Sequence, residues 1–434
     1  MSNLADLETH ASDLAAAVKT LVSQCQNLTP SNTNINTHPA IPPDAPKETQ
    51  RARQSILSTI ASLQSLLFTP ADLLHHLAVQ NQQLACLQWL GEFQVLACIP
   101  LSESVPIKDV ADLAGVPESH LSRIIRMTAT AGFLQEPQPG QVAHSALSAP
   151  FVSKPSYLDA AMFLAGTIAP AALQMPVATQ RFGPTLRPNE TAYNLAFNNA
   201  ATFASTCEQR PKLQRQWPAF LRYATKSTDD RVTDLLSRLD HFRRGNISIV
   251  EVGARTTDRA NTLATLYPTL RITVQLAVAG LTTAATNLNP NITIQHRPPT
   301  TAQTVTDATV YILHLPSPLP TLSYSSLATR IAAELRAHLD VLRSNPSATL
   351  ILTPRLLPET IGAGAVNSDV EASARLRDLA LLQLANEREI EMGDFMSILN
   401  SVSDSLGRLV VVNKIRSREC AIVLVEVKYQ GFNR

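Results

Sequence analysis

The C-terminal half of the chain alternates short apolar runs with helical patterns of apolar and polar residues. Residues 247–252 form the first run; they are mostly β-branched, include the acid Glu251, and are followed by Gly253. A helical pattern starts at Asp258, whose charge suits the first turn of a helix. A buried strand, a tight turn and a helix in this order predict the opening unit of an open α/β sheet. Such sheets hold their ligands at this point.

The same alternation continues to the end of the chain. We predict further strands and helices, with strands at residues 270–276, 292–295, 308–313 and 349–353 and helices at residues 258–266, 327–342 and 376–386. Two last apolar runs, 410–412 and 421–427, predict a closing pair of strands. Strands separated by helices imply a mostly parallel sheet with crossovers, here with an antiparallel finish, which is an α/β Rossmann-like fold.

The patterns in the N-terminal half are helical. Apolar residues within 4–22 recur at alternating steps of three and four, a heptad pattern that must pack on a partner subunit or on the protein's own core. Residues 27–50 are rich in Pro, Asn and Thr and predict a flexible linker. Further on, two short helices are joined at Gly115-Val116-Pro117 and followed by a hairpin turn at 136–140. This arrangement predicts a winged helix.

These patterns divide the chain into five segments. We predict an N-terminal heptad-like helix (1–26), a flexible linker (27–50), an all-α winged-helix domain of the dimerisation type (51–153), a helical connector (154–245) and an α/β domain (246–434).

Composition narrows the class of protein. The 434 residues are 45% hydrophobic and carry a formal net charge of +1, which fits a soluble globular protein of two or three domains. The second helix of the winged helix offers only Arg123 and Arg126, beside Glu118. A recognition helix for DNA is normally basic, so dimerisation is favoured over direct DNA readout, which stays an alternative.

The cysteines and the most apolar window indicate in which cellular compartment the protein is expected. The five cysteines are scattered without a Cys-x-x-Cys pair, which predicts reduced thiols in a reducing compartment: Cys25, Cys86, Cys98, Cys207 and Cys420. Acids near the start argue against a signal peptide, and polar residues inside the most apolar window, 84–101, favour a buried helix over a membrane span. We expect a cytosolic or nuclear protein.

The turn after residues 247–252 is the candidate ligand site. A backbone that approaches a ligand closely needs glycines, because they have no Cβ and tolerate positive φ. Here only Gly253 is present, and Ala254, Arg255, Thr256 and Thr257 fill the rest of the turn. The framework of a binding site is therefore predicted, with side chains obstructing its floor.

The winged helix, the helical connector and the sheet that opens with apolar-Glu-Val-Gly resemble the plant and fungal small-molecule O-methyltransferases, which use S-adenosylmethionine. The resemblance runs from about residue 70 to the end. In that family the turn reads G-G-G-x-G, and the corresponding residues of this chain are Gly253-Ala254-Arg255-Thr256-Thr257. Its ribose-binding acid corresponds to Leu276, and its His-Asp pair on the adenine side corresponds to His296-Arg297.

The catalytic positions of the family also differ in this chain. The His-Asp-Trp motif that contains the family's base is replaced by Pro316-Ser-Pro-Leu-Pro320, and only Glu387-Arg388 matches the pair that supports that base. A general base contributes roughly 10²- to 10⁴-fold in rate. The resemblance therefore implies the fold of a methyltransferase without catalytic or cofactor-binding residues. The alternative is an active methyltransferase that uses an unorthodox base. His314 is a candidate for that base, and otherwise it is a structural or surface histidine.

The sequence does not contain the motifs of a metal site, a phosphate-binding loop or a serine nucleophile. His75 and His76 are adjacent on a helix, so their side chains diverge by about 100° and cannot chelate one ion together. The chain contains no His-Glu-x-x-His, no P-loop and no G-x-S-x-G. We expect no metal site and no cofactor.

A narrower resemblance rests on four runs: residues 84–101, 108–117, 131–134 and 136–140. They are similar to the methyltransferase-like transcriptional coactivators of fungal polyketide gene clusters of the aflatoxin type. This resemblance implies a non-catalytic nuclear protein, present in part in the cytoplasm, that binds a binuclear zinc-cluster transcription factor. It would meet DNA only through that partner, would not bind membranes, and could form a homodimer. The wing, the N-terminal helix and the obstructed cleft are the candidate contact faces.

Overall fold

The computed structural model describes residues 2–25, 41–42, 45–224, 229–237, 239, 247–277, 288–358, 368–416 and 423–432. The chain forms two compact units. The first comprises Met1–Pro170 with Arg210–Ala224, and the second comprises Ala171–Gln209 with Thr225–Arg434. The predicted boundaries at 153 and 245 stay predictions.

The first unit is mostly helical. Its longer helices are α1 (Ser2–Cys25), α2 (Lys47–Leu67), α3 (Pro70–Glu92), α4 (Ile107–Ala114), α5 (Glu118–Ala129), α6 (Ala149–Ser153), α7 (Pro155–Phe163) and α12 (Pro211–Tyr223). Helices α1 and α2 pack against each other. Helix α3 begins with a capping box, in which Thr69 and Asp72 satisfy each other's backbone N–H, and with Pro70 at its first turn.

The region predicted as a winged helix contains the expected helices and hairpin. Helix α4 ends at Gly115, whose φ of 66° provides the left-handed cap. Strand β1 (Val105–Pro106), which precedes α4, forms a three-stranded sheet with β2 (Leu134–Gln135) and β3 (Gln141–His144), which follow α5, in the order β1-β3-β2. The apolar faces meet in one core that includes Leu90, Val110, Leu121 and Ile125. The assignment of this region as a winged helix stays a prediction.

The run Pro155–Leu173 is long and apolar enough to cross a membrane by length and composition, but half of it is buried inside the protein, as in a core helix. It contains a π-helical segment at Leu164–Ile168. Within the first unit, α7 packs on α12 through rings of Phe163, Trp217 and Phe220, whose centroids lie 5.4–5.8 Å apart. Aromatic burial of this kind stabilises the pair of helices.

The second unit is built on a seven-stranded sheet. Its strands are β4 (Ser248–Ala254), β5 (Arg271–Leu276), β6 (Ile292–His296), β7 (Val310–Leu313), β8 (Thr349–Leu352), β9 (Gly407–Arg416) and β10 (Val423–Gly431). They follow the order β6-β5-β4-β7-β8-β10-β9, and β4 to β8 are parallel while β10 is antiparallel to both neighbours. The predicted Rossmann-like architecture, including its antiparallel finish, is confirmed.

Helices cover this sheet and form the rest of the second unit. They are α9 (Met175–Phe182), α10 (Ala192–Ala196), α11 (Phe203–Gln209), α13 (Asp229–Leu236), α14 (Asp258–Leu266), α15 (Tyr324–Arg336), α16 (Leu339–Ser344), α17 (Ser368–Ala385) and α18 (Met392–Asn400), while α8 (Ala169–Leu173) joins the two units in sequence. Two apolar clusters lie on this sheet, one around Tyr311 and Phe395 and the other around Ile249 and Leu263.

One predicted helix differs from the structure, and one helix of the structure was not predicted. The single helix expected over 327–342 is divided into α15 and α16, because the chain turns at Ala337 and His338, where His338 Nδ1 donates to the Glu334 carbonyl at 2.8 Å. Helix α18 was not predicted at all. It begins at a capping box of Glu391 and Asp394, which is less usual than one opened by Ser or Thr.

Candidate functional site

The carboxyl ends of β4 and β7 form the point at which the strand order reverses direction. From β4 the chain proceeds outward through β5 and β6 on one side and through β7 and β8 on the other. Open α/β sheets bind ligands in the crevice outside the strand ends at such a point. In this chain the two ends are tied together, because His314 N donates to the Val252 carbonyl at 3.0 Å.

Gly253 forms the turn out of β4. Its φ is 74°, and a Cβ added there would lie 3.2 Å from the His314 carbonyl oxygen. The position therefore requires glycine for two reasons, conformation and space. Downstream, Ala254 and Thr257 are buried while Arg255 and Thr256 are exposed. The turn thus keeps the glycine that the fold needs and replaces the others with side chains.

A buried carboxylate lies next to this turn, and an arginine and a histidine of the chain contact one of its oxygens. Glu251 on β4 is 1% exposed. Arg259, in the first turn of α14, places Nη1 3.1 Å from Glu251 Oε1, and His314 places Nε2 2.8 Å from the same oxygen. Arg259 Nη1 also lies 2.6 Å from His314 Nε2, and His314 Nδ1 lies 3.1 Å from Thr353 Oγ1. These contacts join β4, α14 and β7 at the reversal point.

The electrostatics of this cluster favour the charged form of Glu251. Burial alone would raise the pKa of Glu251, but the hydrogen bond and charge of His314, together with Arg259, outweigh burial and hold the pKa below its ordinary value. The second carboxylate oxygen, Oε2, is buried and has no hydrogen-bond partner in the described part of the chain. The anion is therefore stabilised from one side only.

The sequence did not identify Arg259. The only available signal was an arginine in the first turn of α14, where a basic residue opposes the helix dipole and is therefore unusual. Its role becomes visible only when the fold brings the end of β7 beside it. His314, weighed as a substitute base, lies in this cluster and is 18% exposed in its side chain.

The position of the expected ribose acid offers no carboxylate. Leu276 ends β5 and is 8% exposed, in register with Ala254 on one side and His296 on the other. The preceding Gln275 exchanges two hydrogen bonds with Gln303, at 2.8 and 2.9 Å. Both amides are thus satisfied within the protein.

His296-Arg297 also differs from a ligand-binding pair. Arg297 is buried, and its Nη1 donates to Glu334 Oε1 at 2.5 Å, while its Nη2 donates to the Thr301 carbonyl. The other Glu334 oxygen accepts the Thr300 N–H. This arginine holds the loop after β6 against α15.

The segment at the position of the family's base contains no titratable side chain. Residues 316–320 follow β7, and the carbonyl of Pro318 accepts a hydrogen bond from Arg355 at 3.3 Å. Arg355 and the buried Arg377 both bind Glu389, at 2.8 and 3.1 Å. Arg355 therefore ties this loop to Glu389, which Arg377 also binds.

The pair Glu387-Arg388, which matches the family's motif, supports a helix terminus. Glu387 Oε2 accepts the backbone N–H of Tyr324 at 2.9 Å, at the start of α15, and burial raises the pKa of Glu387. Arg388 binds Asp394 at 2.6 Å and lies over the Tyr324 ring, 4.5 Å from its centroid. Neither side chain contacts a base.

Other predicted features were also located. Among the described residues no group of His, Cys, Asp and Glu could hold a metal ion. Cys86, Cys98 and Cys207 form no disulfide. Of the linker predicted over 27–50, residues 27–40 and 43–44 lie outside the described residues, and residues 47–50 instead begin α2, so the predicted linker end was wrong. Cys420 and the polar segment at His241, Arg243 and Arg244 also lie outside the described residues.

Sequence comparisons point to one group of proteins. The profile of a family described as the N-terminal domain of the trypacidin cluster transcriptional coactivator matches residues 4–68. The monodictyphenone cluster transcriptional coactivator of Emericella nidulans is 65% identical, with both chains covered to 100%. The agnestins cluster transcriptional coactivator of Paecilomyces divaricatus is 48% identical over 100% of this chain and 99% of its own. The trypacidin coactivator of Aspergillus fumigatus is 46% identical over 100% of this chain and 98% of its own.

Solved structures share the fold of the chain. LepI in complex with SAM has a TM-score of 0.61 at 16% identity and covers 97% of this chain and 100% of its own. OxaC in complex with SAH and oxaline has a TM-score of 0.57 at 16% identity, with the same coverage. At this identity the likeness establishes the methyltransferase fold alone.

Proposed function

Because the chain belongs to the family of methyltransferase-like transcriptional coactivators of fungal secondary-metabolite gene clusters, we propose that it activates its cluster without catalysing methyl transfer. One observation supports the absence of methyl transfer in this proposal. The guanidinium of Arg259 lies on the Glu251 carboxylate at the carboxyl ends of β4 and β7, in the crevice where this fold binds ligands.

The residues of the crevice do not fit S-adenosylmethionine. Its sulfonium is a cation, and Arg259 already places a cation at the buried carboxylate, so the two charges would repel in a site of low polarity. Leu276 offers no acceptor to ribose hydroxyls, although hydrogen bonds to charged groups contribute about 1.5–3 kcal/mol each. We derive no step through this cofactor, and we assign no catalytic, cofactor-binding or metal-binding residue.

As partner we propose a binuclear zinc-cluster transcription factor, with the coactivator acting in the nucleus and contacting DNA only through that factor. The relatives named as coactivators of the monodictyphenone and trypacidin clusters support a secondary-metabolite cluster, which we propose to be of polyketide type, as the target. Arg126, one of two arginines on α5, is tied to Glu136 of the following turn at 3.0 Å, which reduces what the helix offers to a phosphate. The net charge of +1 gives no general attraction to DNA.

The main test is capture of the zinc-cluster activator encoded in the same gene neighbourhood by the purified full-length chain. We expect specific capture, and a gel shift on a cluster promoter only when the activator is present. A zinc-cluster activator from an unrelated cluster is the matched control. Failure to capture the activator, or a salt-sensitive and sequence-selective shift by the chain alone, would contradict the proposal.

The alternative function is an active S-adenosylmethionine-dependent O-methyltransferase acting on a phenolic polyketide, which the coactivator names of the relatives do not favour. Calorimetric titration with S-adenosylmethionine separates the two functions. We expect no heat of binding at micromolar concentrations. Micromolar or tighter binding, or transfer of a labelled methyl group to a phenol by the chain alone, would establish the alternative.

A further inference from the structure

Helix α9 of the second unit buries none of its residues. It is only eight residues long, and an isolated helix of this length is marginal in water, so α9 depends on packing against other elements. Helix α10 packs against both α9 and α17. Large apolar side chains around α9 nevertheless face solvent. Among the described residues, Leu186 at 85% and Leu173 at 76% are the most exposed of all large apolar side chains.

The exposed apolar side chains lie on elements that contact one another within the second unit. Asn386, directly after α17, donates to the carbonyls of Arg187 and Glu190 at 2.8 and 3.0 Å, so the loop after α9 lies beside the end of α17. We call this surface the α9 face. Its exposed apolar side chains are those of Leu173, Val177, Leu186, Phe197, Leu379 and Leu382. Exposed apolar patches on soluble proteins mark interaction sites when they comprise more than single scattered residues.

The contact between α9 and α17 contains a buried amide that the protein satisfies poorly. Gln383 is 4% exposed, and its Nε2 donates to Met175 Sδ at 3.4 Å. A thioether sulfur is a weak acceptor. The Oε1 atom of Gln383 is also buried, and it accepts no hydrogen bond from the described part of the chain. Because an unsatisfied buried acceptor costs free energy, the packing of α9 on α17 is incomplete in the free chain.

Two arginines and no acid lie in and around α9 along the sequence. Residues 160–189 contain only two charged side chains, those of Arg181 and Arg187. The guanidinium of Arg181 lies over the ring of Phe182, 5.4 Å from its centroid, and none of the described acids pairs with it. Arg187 is paired with Glu190, but its side chain is 76% exposed and that of the acid only 26%. Positive charge is therefore the more accessible kind on this side of the face.

A third arginine lies on the exposed side of α17. Arg375 precedes Leu379 by four residues and Leu382 by seven, which places the three on one side of the helix. Glu371 lies 3.5 Å from Arg375, with its side chain 30% exposed against 40% for the arginine. Asp378 is bonded inside the protein, because its Oδ1 accepts a backbone N–H at 2.9 Å. Arginines thus border the apolar residues on both helices.

Apolar side chains bordered by arginines fit an amphipathic helix whose polar side is acidic. Such a helix has its apolar side chains on one face, at steps of three and four residues, and its acids along the border of that face. Acidic and apolar residues in alternation are typical of disordered activation domains. A second copy of the chain fits less well, because a two-fold interface brings identical faces together and hence arginines close to arginines.

We propose that the α9 face binds an acidic amphipathic segment of the transcription factor that the chain assists. Burial of the apolar side chains supplies the affinity, and the arginines select acidic segments and speed their association. The inference rests on the proposed function, since that function supplies the partner that carries the segment.

The first measurement is the affinity of the purified full-length chain for the zinc-cluster activator of the same gene neighbourhood. We expect the double variant Leu186→Ala, Leu382→Ala to bind the activator about 30-fold more weakly than wild type, which is the effect of a hot-spot side chain. Both side chains are exposed and alanine favours helix, so the variant should fold. The matched control is Leu266→Ala, at an exposed leucine of the same unit that lies outside the face.

The second measurement identifies the segment. Fluorescein-labelled peptides of about 20 residues, roughly the length of a 30 Å helix, tile the activator outside its zinc cluster and are titrated by fluorescence anisotropy. We expect binding of a peptide with acids and apolar residues at helical spacing, and the binding should weaken as salt is added. Arg181→Glu should weaken it about 10-fold and reduce its salt dependence, whereas Arg330→Glu, at an exposed position of α15, should leave it unchanged.

The outcomes separate this inference from the proposed function. Capture of the activator by wild type and equally by the leucine double variant would overturn the α9 face and leave the proposed function intact. Absence of capture by wild type would contradict the proposed function itself. Binding of basic peptides in place of acidic ones would also overturn the inference, and so would self-association in analytical ultracentrifugation that the double variant abolishes, because a second copy would then occupy the face.

Discussion

Arg259 Nη1 lies 3.1 Å from Glu251 Oε1, and the two side chains are 13% and 2% exposed. The contact joins the first helix after β4 to the strand that the helix follows. Open α/β sheets bind ligands outside the strand ends at such a point, and here the chain places a charged side chain of its own there. One ion pair therefore joins the helix to the strand at the place where a sheet of this kind would receive a ligand.

Substitution of Arg259 by Ala should destabilise the second unit strongly. Removal of one partner of a buried ion pair leaves an uncompensated charge and costs roughly 3–5 kcal/mol. The double variant Glu251→Gln, Arg259→Met should cost less than the single Arg259→Ala. The free energy of unfolding from denaturant titration measures both. Arg255→Ala, at an exposed position of the same turn, is the control and should stay within about 0.5 kcal/mol of wild type.

Acidification should destabilise the protein through His338. Burial lowers the pKa of His338 to about 4. The charge of Arg297 also lowers this pKa, whereas Glu334 raises it. Between pH 6.5 and 4 the unfolded chain binds a proton that the folded chain does not, so the free energy of unfolding falls as the pH falls. The loss is on the order of 3 kcal/mol across this range. His338→Gln should flatten the slope, and His75→Gln, at an exposed position, should leave it unchanged.

Glu251 adds a second loss at lower pH. Its folded pKa is held below the ordinary 4.5, so its contribution to stability is present above that value and is lost as the pH falls through the folded pKa. We expect a Glu251→Gln variant to lack this additional acid transition while it keeps the one that depends on His338. An unchanged profile below pH 4.5 in that variant would contradict the ion-pair account.

Replacement of Gly253 by Ala should cost about 1–3 kcal/mol, because φ is positive and the new Cβ would press on the His314 carbonyl. Gly393→Ala is the matched control, since a Cβ there meets no heavy atom within 4 Å and the residue is helical. It should be neutral or slightly stabilising. Thermal unfolding of the two variants side by side gives the comparison.

Glu387→Ala should lower stability by about 1 kcal/mol, since its carboxylate caps the first turn of α15. Transcription of the target cluster in a deletion strain complemented with this variant should match wild type at equal protein level. An enzyme that used Glu387 to support a base would instead lose most of its activity. A loss of transcript at normal protein level would therefore favour the catalytic alternative.

The strands of the sheet could be predicted from the sequence, but the side-chain contacts in the crevice could not. The β-branched residues of β4 and the isolated Gly253 marked the first strand and its turn, because burial and positive φ restrict residue type at single positions. Arg259 gave no such signal, since its effect depends on His314, which lies 55 residues later in the chain. The turn at His338 was missed for the same reason, as apolar spacing continues through it while a buried polar network ends the helix.

The ion pair of Glu251 and Arg259 also bears on reversibility over evolutionary time. A descendant that loses only the guanidinium gains an open crevice but keeps an unbalanced acid inside a weakened sheet, and one that loses only the acid keeps the obstruction. A route from this chain to an open and stable crevice would therefore require both substitutions together, because removal of the guanidinium alone leaves a buried charge without its partner.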